Sequence, residues 1–216
     1  SRMENLAKNK SAFIRPSANK GILGGVSNKT RDSILLCEAA GYDIIIVETV
    51  GVGQSETTVS KLVDIMLLLT ITGAGDQLQA IKRGIIELSH LIIITKDDGE
   101  NKNYAKKTLI ELKNILSIKS PIDEYWVPKV LKCSSEQNTG IEEINIIVNQ
   151  FIQKAKHESL FNLKRKKQEI FWAKKTIKEE IGNIKFQKLK KSKQLKQIVD
   201  SILTSEKTLN EVLKNF

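Results

Sequence analysis

Short apolar runs alternate with amphipathic segments along the first two thirds of the chain. Each run is rich in Ile, Leu or Val and is bounded by turn-forming residues, which is typical of strands buried on both faces of a parallel sheet. The pattern predicts strands at residues 12–15, 44–47, 64–70, 91–94 and 126–131. Apolar positions spaced three or four apart predict helices between them, at residues 29–40, 55–63, 78–88, 101–118 and 140–156.

Strands and helices alternate over residues 1–156, an order that predicts an α/β fold with a parallel sheet covered by helices on both faces. The alternation stops at residue 157, and only helical patterns follow. They predict one long helix with a break near Gly182 and then two shorter helices. We place a domain boundary near residue 156. A helical tail of this kind cannot bury its apolar stripes alone and is expected to dock on a partner or on its own twin.

Composition favours an intracellular protein with one α/β core. The chain has 216 residues, of which 40% are hydrophobic, and no apolar run approaches the ~20 residues that a membrane span needs. Cys37 and Cys133 lie far apart in sequence, so we expect free buried thiols in a reducing compartment, the cytoplasm. With His90 and His157 as the only histidines, no Cys or His spacing predicts a metal site.

The positive charge is concentrated in the helical tail. Of the net +10, residues 157–216 contribute +8, from 15 Lys and Arg against 7 Asp and Glu. A basic helix can bind nucleic acid, anionic lipid or an acidic partner, or it can be a solvated face. Few aromatic residues are interleaved with these lysines, which disfavours nucleic acid.

The stretch DIIIVETVGVGQSE, residues 43–56, joins an apolar run to a carboxylate and two glycines. Glu48 follows the run, and the carboxyl ends of strands are where open α/β sheets bind ligands. Gly51 and Gly53 allow a backbone to approach a phosphate closely. We interpret the stretch as a Walker B strand that leads into a switch loop.

The sequence Thr-Lys-Asp-Asp at residues 95–98 is similar to the Asn-Lys-x-Asp signature with which G proteins read guanine. A carboxylate two residues past the lysine accepts both the ring N–H and the exocyclic amine of guanine, which adenine cannot supply. Asp98 is the predicted reader, and the stem of Lys96 is the platform over the base plane. Thr95 replaces the Asn whose amide ties the loop together. Ser134 and Ser135 follow the next predicted strand, where a backbone N–H would meet the guanine oxygen.

These motifs together resemble the MeaB/ArgK/MMAA family, G proteins that act as chaperones of adenosylcobalamin-dependent methylmalonyl-CoA mutase and were formerly called LAO/AO transport-system kinases. The resemblance rests on the strings VETVGVGQSE, AGDQLQAIKRGI, FIRPSANKGILGGVSNKTR and TKDDGE, and it covers about residues 1–150. It implies a P-loop NTPase-like fold, GTP or GDP with Mg²⁺ as ligands, GTPase activity, a mutase as partner, and a homodimer formed through the C-terminal helices.

The resemblance also implies roles for single residues. Glu48 helps to hold Mg²⁺, largely through water, and Gly51 and Gly53 place backbone N–H groups near the γ-phosphate. Gln54 moves with this switch and belongs with Glu48 and Gly53 to the catalytic set. The loop 73–82 resembles a further switch that signals to the mutase, and its polar members are Asp76, Gln77 and Lys82.

The phosphate-binding pattern Gly-x-x-x-x-Gly-Lys-Ser/Thr does not occur in the sequence. In relatives it lies upstream of the FIRPS string, so we interpret residues 1–156 as a partial G domain without this loop and residues 157–216 as a dimerisation arm. Because the loop holds the β- and γ-phosphates, we expect this chain not to hydrolyse GTP measurably.

Two other functions are compatible with the residues. The chain could be a degenerate P-loop fold that dimerises and binds a partner without nucleotide, which the missing phosphate loop favours and the presence of Glu48 and Asp98 disfavours. It could also be a metallochaperone GTPase for nickel or another cofactor, which the lack of a Cys/His cluster disfavours.

Overall fold

The computed structural model describes residues 3–16, 28–49, 56–71, 83–117, 125–204 and Glu211. The chain divides into two compact units, Ser1–Ser55 and Glu56–Phe216. None of the helices in the described ranges is both long and apolar enough to cross a lipid bilayer.

The first unit contains two helices, α1 at Glu4–Ala7 and α2 at Asn28–Ala39. Helix α2 confirms the prediction for residues 29–40 to within one residue. Two predicted strands are wrong, because residues 12–15 and 44–47 have an irregular backbone. Ile44 and Ile46 are 78% and 85% exposed, whereas we expected this run to be buried. β-Branched residues favour an extended backbone, but a strand also needs a neighbour that pairs with its N–H and C=O groups, and composition does not supply one.

The second unit contains a parallel sheet of three strands in the order β1-β2-β3. The strands are β1 at Leu67–Ile71, β2 at Leu91–Thr95 and β3 at Lys129–Lys132. Strand β3 begins only after Pro128, because proline has no N–H to donate to the ladder. The parallel arrangement confirms the expectation from the alternating pattern.

Helices cover both faces of the sheet, as the α/β pattern predicted. Residues along β2 point alternately to opposite faces. Ile92 and Ile94 pack in one apolar cluster with α4 (Arg83–Leu88) and α5 (Asn101–Ser117). Leu91 and Ile93 pack in a second cluster, with residues of α6 at Ile141–His157. Strand β2, whose residues 91–94 are all buried, is therefore the centre of the core.

The helical arm consists of α7 at Leu160–Lys191 and α8 at Gln194–Leu203. The break predicted near Gly182 is confirmed, since Gly182 has non-helical dihedral angles of φ 76° and ψ 165°. The arm also forms a core of its own, made of Ile177, Leu189, Leu195 and Val199. The expectation that the tail cannot bury its apolar stripes alone is therefore wrong for this part. The predicted second short helix lies outside the described residues, and the boundary near residue 156 stays a prediction.

Candidate functional site

Two loops meet where β2 and β3 end. The strands are parallel neighbours, so their carboxyl ends reach the same edge of the sheet. The Cys133 N–H donates to the Ile94 carbonyl at 2.8 Å, and the Asp97 N–H donates to the Cys133 carbonyl at 3.0 Å. These two bonds join the loop 95–98 to the loop 133–140. The two segments that the sequence assigned to guanine recognition are thus brought together.

The Asp98 carboxylate accepts a hydrogen bond from a buried hydroxyl. Ser134 is fully buried, and its Oγ donates to Oδ2 of Asp98. The Ser134 Oγ also accepts the backbone N–H of Gln137 at 3.1 Å. Because the hydroxyl is fixed on both sides, it orients the half-buried carboxylate. The structure therefore places Ser134 behind the predicted guanine reader, while Ser135 beside it is exposed.

Lys96 adopts a backbone conformation that is uncommon for residues other than glycine. Its φ of 60° lies in the left-handed region, and its side chain is exposed. A non-glycine residue held in this region is a strained position of the kind found at ligand sites. The bend turns the chain sharply directly after β2, between Thr95 and Asp97.

Thr95 forms an anchoring hydrogen bond at the position where the usual signature has an Asn amide. Its Oγ1 donates to the carbonyl of Thr70 on β1 at 3.0 Å. The bond joins the end of β2 to the neighbouring strand, because Thr70 lies next to Ile94 in the ladder. The Asn of the usual signature is therefore replaced here by a hydroxyl that still anchors the start of the loop.

An ion pair between Asp97 and Lys132 was not foreseen from the sequence. Lys132 Nζ lies 2.8 Å from Oδ2 of Asp97, and the two side chains are 29% and 16% exposed. Oδ1 of Asp97 is buried and has no hydrogen-bond partner within the described residues. The pair lines a concavity of about 450 Å³ together with Lys102, Asn103, Lys106, Gln137 and Thr139. The signal that could have revealed it is the register, which sets Lys132 beside Ile94 at the end of β2.

A glycine closes the second loop. Ser134 and Thr139 exchange backbone hydrogen bonds at 3.0 and 3.1 Å, and Asn138 has a φ of 53°. Gly140 follows with a φ of 76°, and a Cβ placed there would lie 2.1 Å from the Lys132 carbonyl oxygen. Only glycine fits at this position without moving the end of β3.

The predicted magnesium and switch residues are described only in part. Glu48 is exposed and follows the irregular segment 43–47. Its carboxylate is a ligand type that Mg²⁺ prefers. The other predicted residues lie outside the described ranges: Gly51, Gly53, Gln54, Asp76, Gln77 and Lys82. Within those ranges no group of three or more His, Cys, Asp or Glu side chains is arranged to hold a metal ion.

Cys133, the first residue of the loop 133–140, is a buried free thiol. Burial raises the pKa of this thiol, and the nearby charge of Asp97 raises it further. Because the thiolate is the reactive form, we expect Cys133 of the folded protein to react with iodoacetamide at pH 8 much more slowly than the half-buried Cys37. Mass spectrometry of the labelled peptides measures both rates. Labelling in guanidinium chloride, where both thiols are exposed, is the control, and equal rates in the folded state would contradict the expectation.

The chain has recognisable relatives. A family model described as methylmalonyl Co-A mutase-associated GTPase MeaB matches residues 1–190. GTPase ArgK of Escherichia coli (strain K12) is 43% identical over 182 residues, which is 84% of this chain and 55% of that protein. The mitochondrial methylmalonic aciduria type A homolog of Caenorhabditis elegans is 41% identical over 187 residues, which is 87% of this chain and 47% of that protein. The chain thus spans about half the length of these curated relatives.

A solved structure matches along nearly the whole chain. The crystal structure of a LAO/AO transport system kinase aligns with a TM-score of 0.74 and 34% sequence identity, over 99% of this chain and 68% of that one. The alignment confirms the predicted fold class, a P-loop NTPase-like parallel sheet followed by a helical part.

Proposed function

The chain belongs to the MeaB family of methylmalonyl-CoA mutase-associated GTPases, and from that premise we propose that it is part of a GTP-binding chaperone for an adenosylcobalamin-dependent methylmalonyl-CoA mutase. In this function the state of the bound nucleotide gates cofactor loading and protection of the mutase. The observation that supports the proposal best is the Asp98 carboxylate, which the buried hydroxyl of Ser134 orients at the joined ends of β2 and β3.

The proposed guanine site consists of the two joined loops. Asp98 accepts the ring N–H and the exocyclic amine of guanine, and Ser134 keeps the carboxylate in place. The exposed stem of Lys96 packs over the base, which its left-handed backbone supports by turning the chain after β2. Ser135 offers a backbone N–H to the guanine oxygen. Adenine lacks the donor pair that Asp98 requires, so the site selects guanine.

By resemblance to the family, Glu48 and the residues that follow it are assigned to the phosphates and the metal ion. Glu48 holds Mg²⁺ through water, and the ion neutralises negative charge on the phosphates when it is bound. Gly51 and Gly53 offer backbone N–H groups to the γ-phosphate, and Gln54 moves with them. The Gly-x-x-x-x-Gly-Lys-Ser/Thr loop that would hold the other phosphates is not in the sequence, and for that reason we propose that this chain alone does not turn over GTP.

The client and the oligomeric state complete the proposal. Asp76, Gln77 and Lys82 form the surface that meets the mutase, because the loop that contains them resembles the family's signalling switch. Two copies associate through the helices beyond residue 157. The family model that matches the chain is described as methylmalonyl Co-A mutase-associated, which supports the choice of client.

The test compares two proteins, the 216-residue chain and a chimera with the phosphate-loop segment of a family member ahead of Ser1. Titration with fluorescent GTP and ATP measures affinity, and phosphate release measures turnover. We expect the chimera to bind GTP more tightly than ATP by a factor of about 100 or more, because a site built to hydrogen-bond a group rejects an analogue without it. We expect no measurable turnover by the chain alone.

Three results would contradict parts of the proposal. Equal affinity of the chimera for GTP and ATP would exclude Asp98 as a guanine reader. Near-normal turnover by the 216-residue chain would exclude the phosphate roles given above. If neither protein binds nucleotide but both still associate through the arm, a nucleotide-independent interaction module is the better description.

A further inference from the structure

Helix α3, at Glu56–Ser60, is followed by a turn whose backbone carbonyls have no hydrogen-bond donor within that helix. Helix α3 covers Glu56–Ser60, and its last turn closes with the N–H groups of Lys61, Leu62 and Val63 bonded to carbonyls of residues 58 and 59. Carbonyls beyond the end of a helix have no intrahelical partner and need one elsewhere. Those of Lys61, Val63 and Asp64 are in this position.

One face of the arm supplies donors to all three carbonyls. Trp172 Nε1 donates to the Lys61 carbonyl at 2.8 Å. Gln168 Nε2 donates to the Val63 carbonyl at 2.9 Å, and Lys164 Nζ donates to the Asp64 carbonyl at 2.7 Å. The three donors are four residues apart, so they lie one above the other along α7.

A bidentate ion pair adds to these bonds. Arg165 donates to both carboxylate oxygens of Asp64, from Nε at 2.9 Å and from a terminal nitrogen at 2.6 Å. Paired N–H groups on a carboxylate fix the orientation as well as the distance. Lys164 Nζ also lies 3.2 Å from Nε2 of His90, a buried residue next to the start of β2. We call the four arm side chains Lys164, Arg165, Gln168 and Trp172, with the turn 61–64, the arm clamp.

The arm clamp is attached to the part of the fold that follows both predicted switches. Helix α3 follows residues 51–55 in the chain, and it packs against α4, which follows residues 72–82. A displacement of α3 therefore acts on α4 as well. On the other side the turn 61–64 leads within three residues into β1.

The arm can transmit such a movement because it has its own core. Ile177 on the first part of α7 packs with Leu189 beyond the break at Gly182 and with Leu195 and Val199 of α8. A group of helices with a shared core opens and moves as one cooperative unit. A displacement at residues 164–172 is thus carried to α8.

We propose that the arm clamp couples the position of α3 to the orientation of the arm, so that a change in either one shifts the other. The nucleotide dependence of this coupling rests on the function proposed above, while the coupling itself does not. Its physical basis is that four donors on one helix face match one arrangement of three carbonyls and a carboxylate. Coupling of this kind is reciprocal, so it can be tested from both ends.

Hydrogen exchange of the 216-residue chain, read by mass spectrometry, tests the coupling with two substitutions made at opposite ends. Arg165→Ala alters the arm, and Asp64→Ala alters the turn. We expect Arg165→Ala to speed exchange in residues 56–64 by about tenfold or more, because a charge-assisted bidentate pair is lost. We expect Asp64→Ala to speed exchange in α7 and α8 to a similar degree. Peptides from β2 and α5 should keep their wild-type rates in both variants.

Matched variants separate the arm clamp from a general loss of stability. Lys167→Ala removes a cation from the same helix at an exposed position away from the clamp, and it should leave exchange in residues 56–64 unchanged. Trp172→Phe keeps an aromatic ring but loses the donor to Lys61 and part of the buried indole, so an increase in exchange limited to α3 and the arm is expected. The proposal is overturned if each substitution changes exchange only on its own side, or if β2 and α5 speed up equally.

Nucleotide distinguishes this proposal from the proposed function. If adding GDP changes exchange in residues 56–64 of the phosphate-loop chimera, the change should extend to α7 and α8 and should stop at α3 when the chimera carries Arg165→Ala. A change in the chimera that reaches α3 but never the arm would overturn the coupling. If GDP binds the chimera and changes no exchange rate, while the two substitutions still act across the clamp, the nucleotide switch fails and the coupling stands.

Discussion

Asp98→Asn is expected to weaken GDP binding by about 100-fold or more in the phosphate-loop chimera, because two hydrogen bonds to a charged group are worth roughly 3–6 kcal/mol together and tenfold in affinity is 1.4 kcal/mol. The amide keeps one acceptor but turns its N–H groups toward a donor of guanine. Xanthine has a carbonyl where guanine has its amine, so the same substitution should improve binding of xanthosine diphosphate.

Competition of GDP, xanthosine diphosphate and ADP against a fluorescent guanine nucleotide measures both effects. Glu100→Gln is the control, since it removes an exposed carboxylate from the same loop without touching Ser134. Asp98 is not the reader if the two variants lose GDP affinity equally, or if the preference for GDP over xanthosine diphosphate is unchanged.

Gly140→Ala is expected to lower the free energy of unfolding by about 3 kcal/mol or more, because overpacking and a left-handed non-glycine backbone each cost about 1–3 kcal/mol. The added Cβ would meet the Lys132 carbonyl oxygen at 2.1 Å and the Cys133 Cα at 3.1 Å. Neither atom can move without displacing the end of β3. The loop that positions Ser134 should therefore shift as well.

Urea denaturation followed by circular dichroism measures the loss. Gly99→Ala is the matched variant, because Gly99 also has a positive φ, of 48°, but an added Cβ there has no atom within 4 Å. It should cost only about 1–2 kcal/mol, the usual penalty of a left-handed backbone for a residue with a Cβ. Equal losses in the two variants would show that the contact with Lys132 is not the cause.

The central strand of the sheet could be predicted from the sequence because its burial is recorded in a local apolar run. The run 91–94 is apolar at every position, and all four residues are buried at the centre of the core. The run 44–47 is also apolar at every position, yet its backbone is irregular and Ile46 is 85% exposed. Composition reports the preference for an extended backbone, whereas strand formation depends on a partner that lies elsewhere in the chain.

The residues of the candidate site that belong to a sequence motif could be predicted. The contacts that depend on how neighbouring strands align could not. Asp98 and Ser134 were placed at strand ends by local pattern, and their proximity followed from parallel neighbouring strands. The ion pair of Asp97 with Lys132 depends on the alignment of Lys132 with Ile94 in the sheet. No local sequence pattern predicts that alignment. The steric need for Gly140 is also invisible in the sequence, because it arises from a carbonyl eight residues earlier in the chain.

The arm clamp was missed for a related reason. Three of its four donor residues are polar side chains in a lysine-rich helix, and in the sequence they cannot be told apart from a solvated face. What distinguishes Gln168 and Trp172 from their neighbours is that they bond to carbonyls about one hundred residues earlier. Contacts of that separation follow from the tertiary fold and not from helical periodicity.

The position of Trp172 allows the arm clamp to be monitored by tryptophan fluorescence. The chain contains two tryptophans, and Trp172 is buried with its indole N–H on a carbonyl and the Lys175 ammonium 4.4 Å from the centre of its ring. An indole that exchanges such surroundings for water changes the wavelength and intensity of its emission, because its ring is apolar and its N–H is polar. With Trp126 replaced by Phe, all tryptophan emission would come from the junction of arm and turn. The chain thus contains its own time-resolved reporter, and opening of the junction can be followed by stopped flow without attaching a dye.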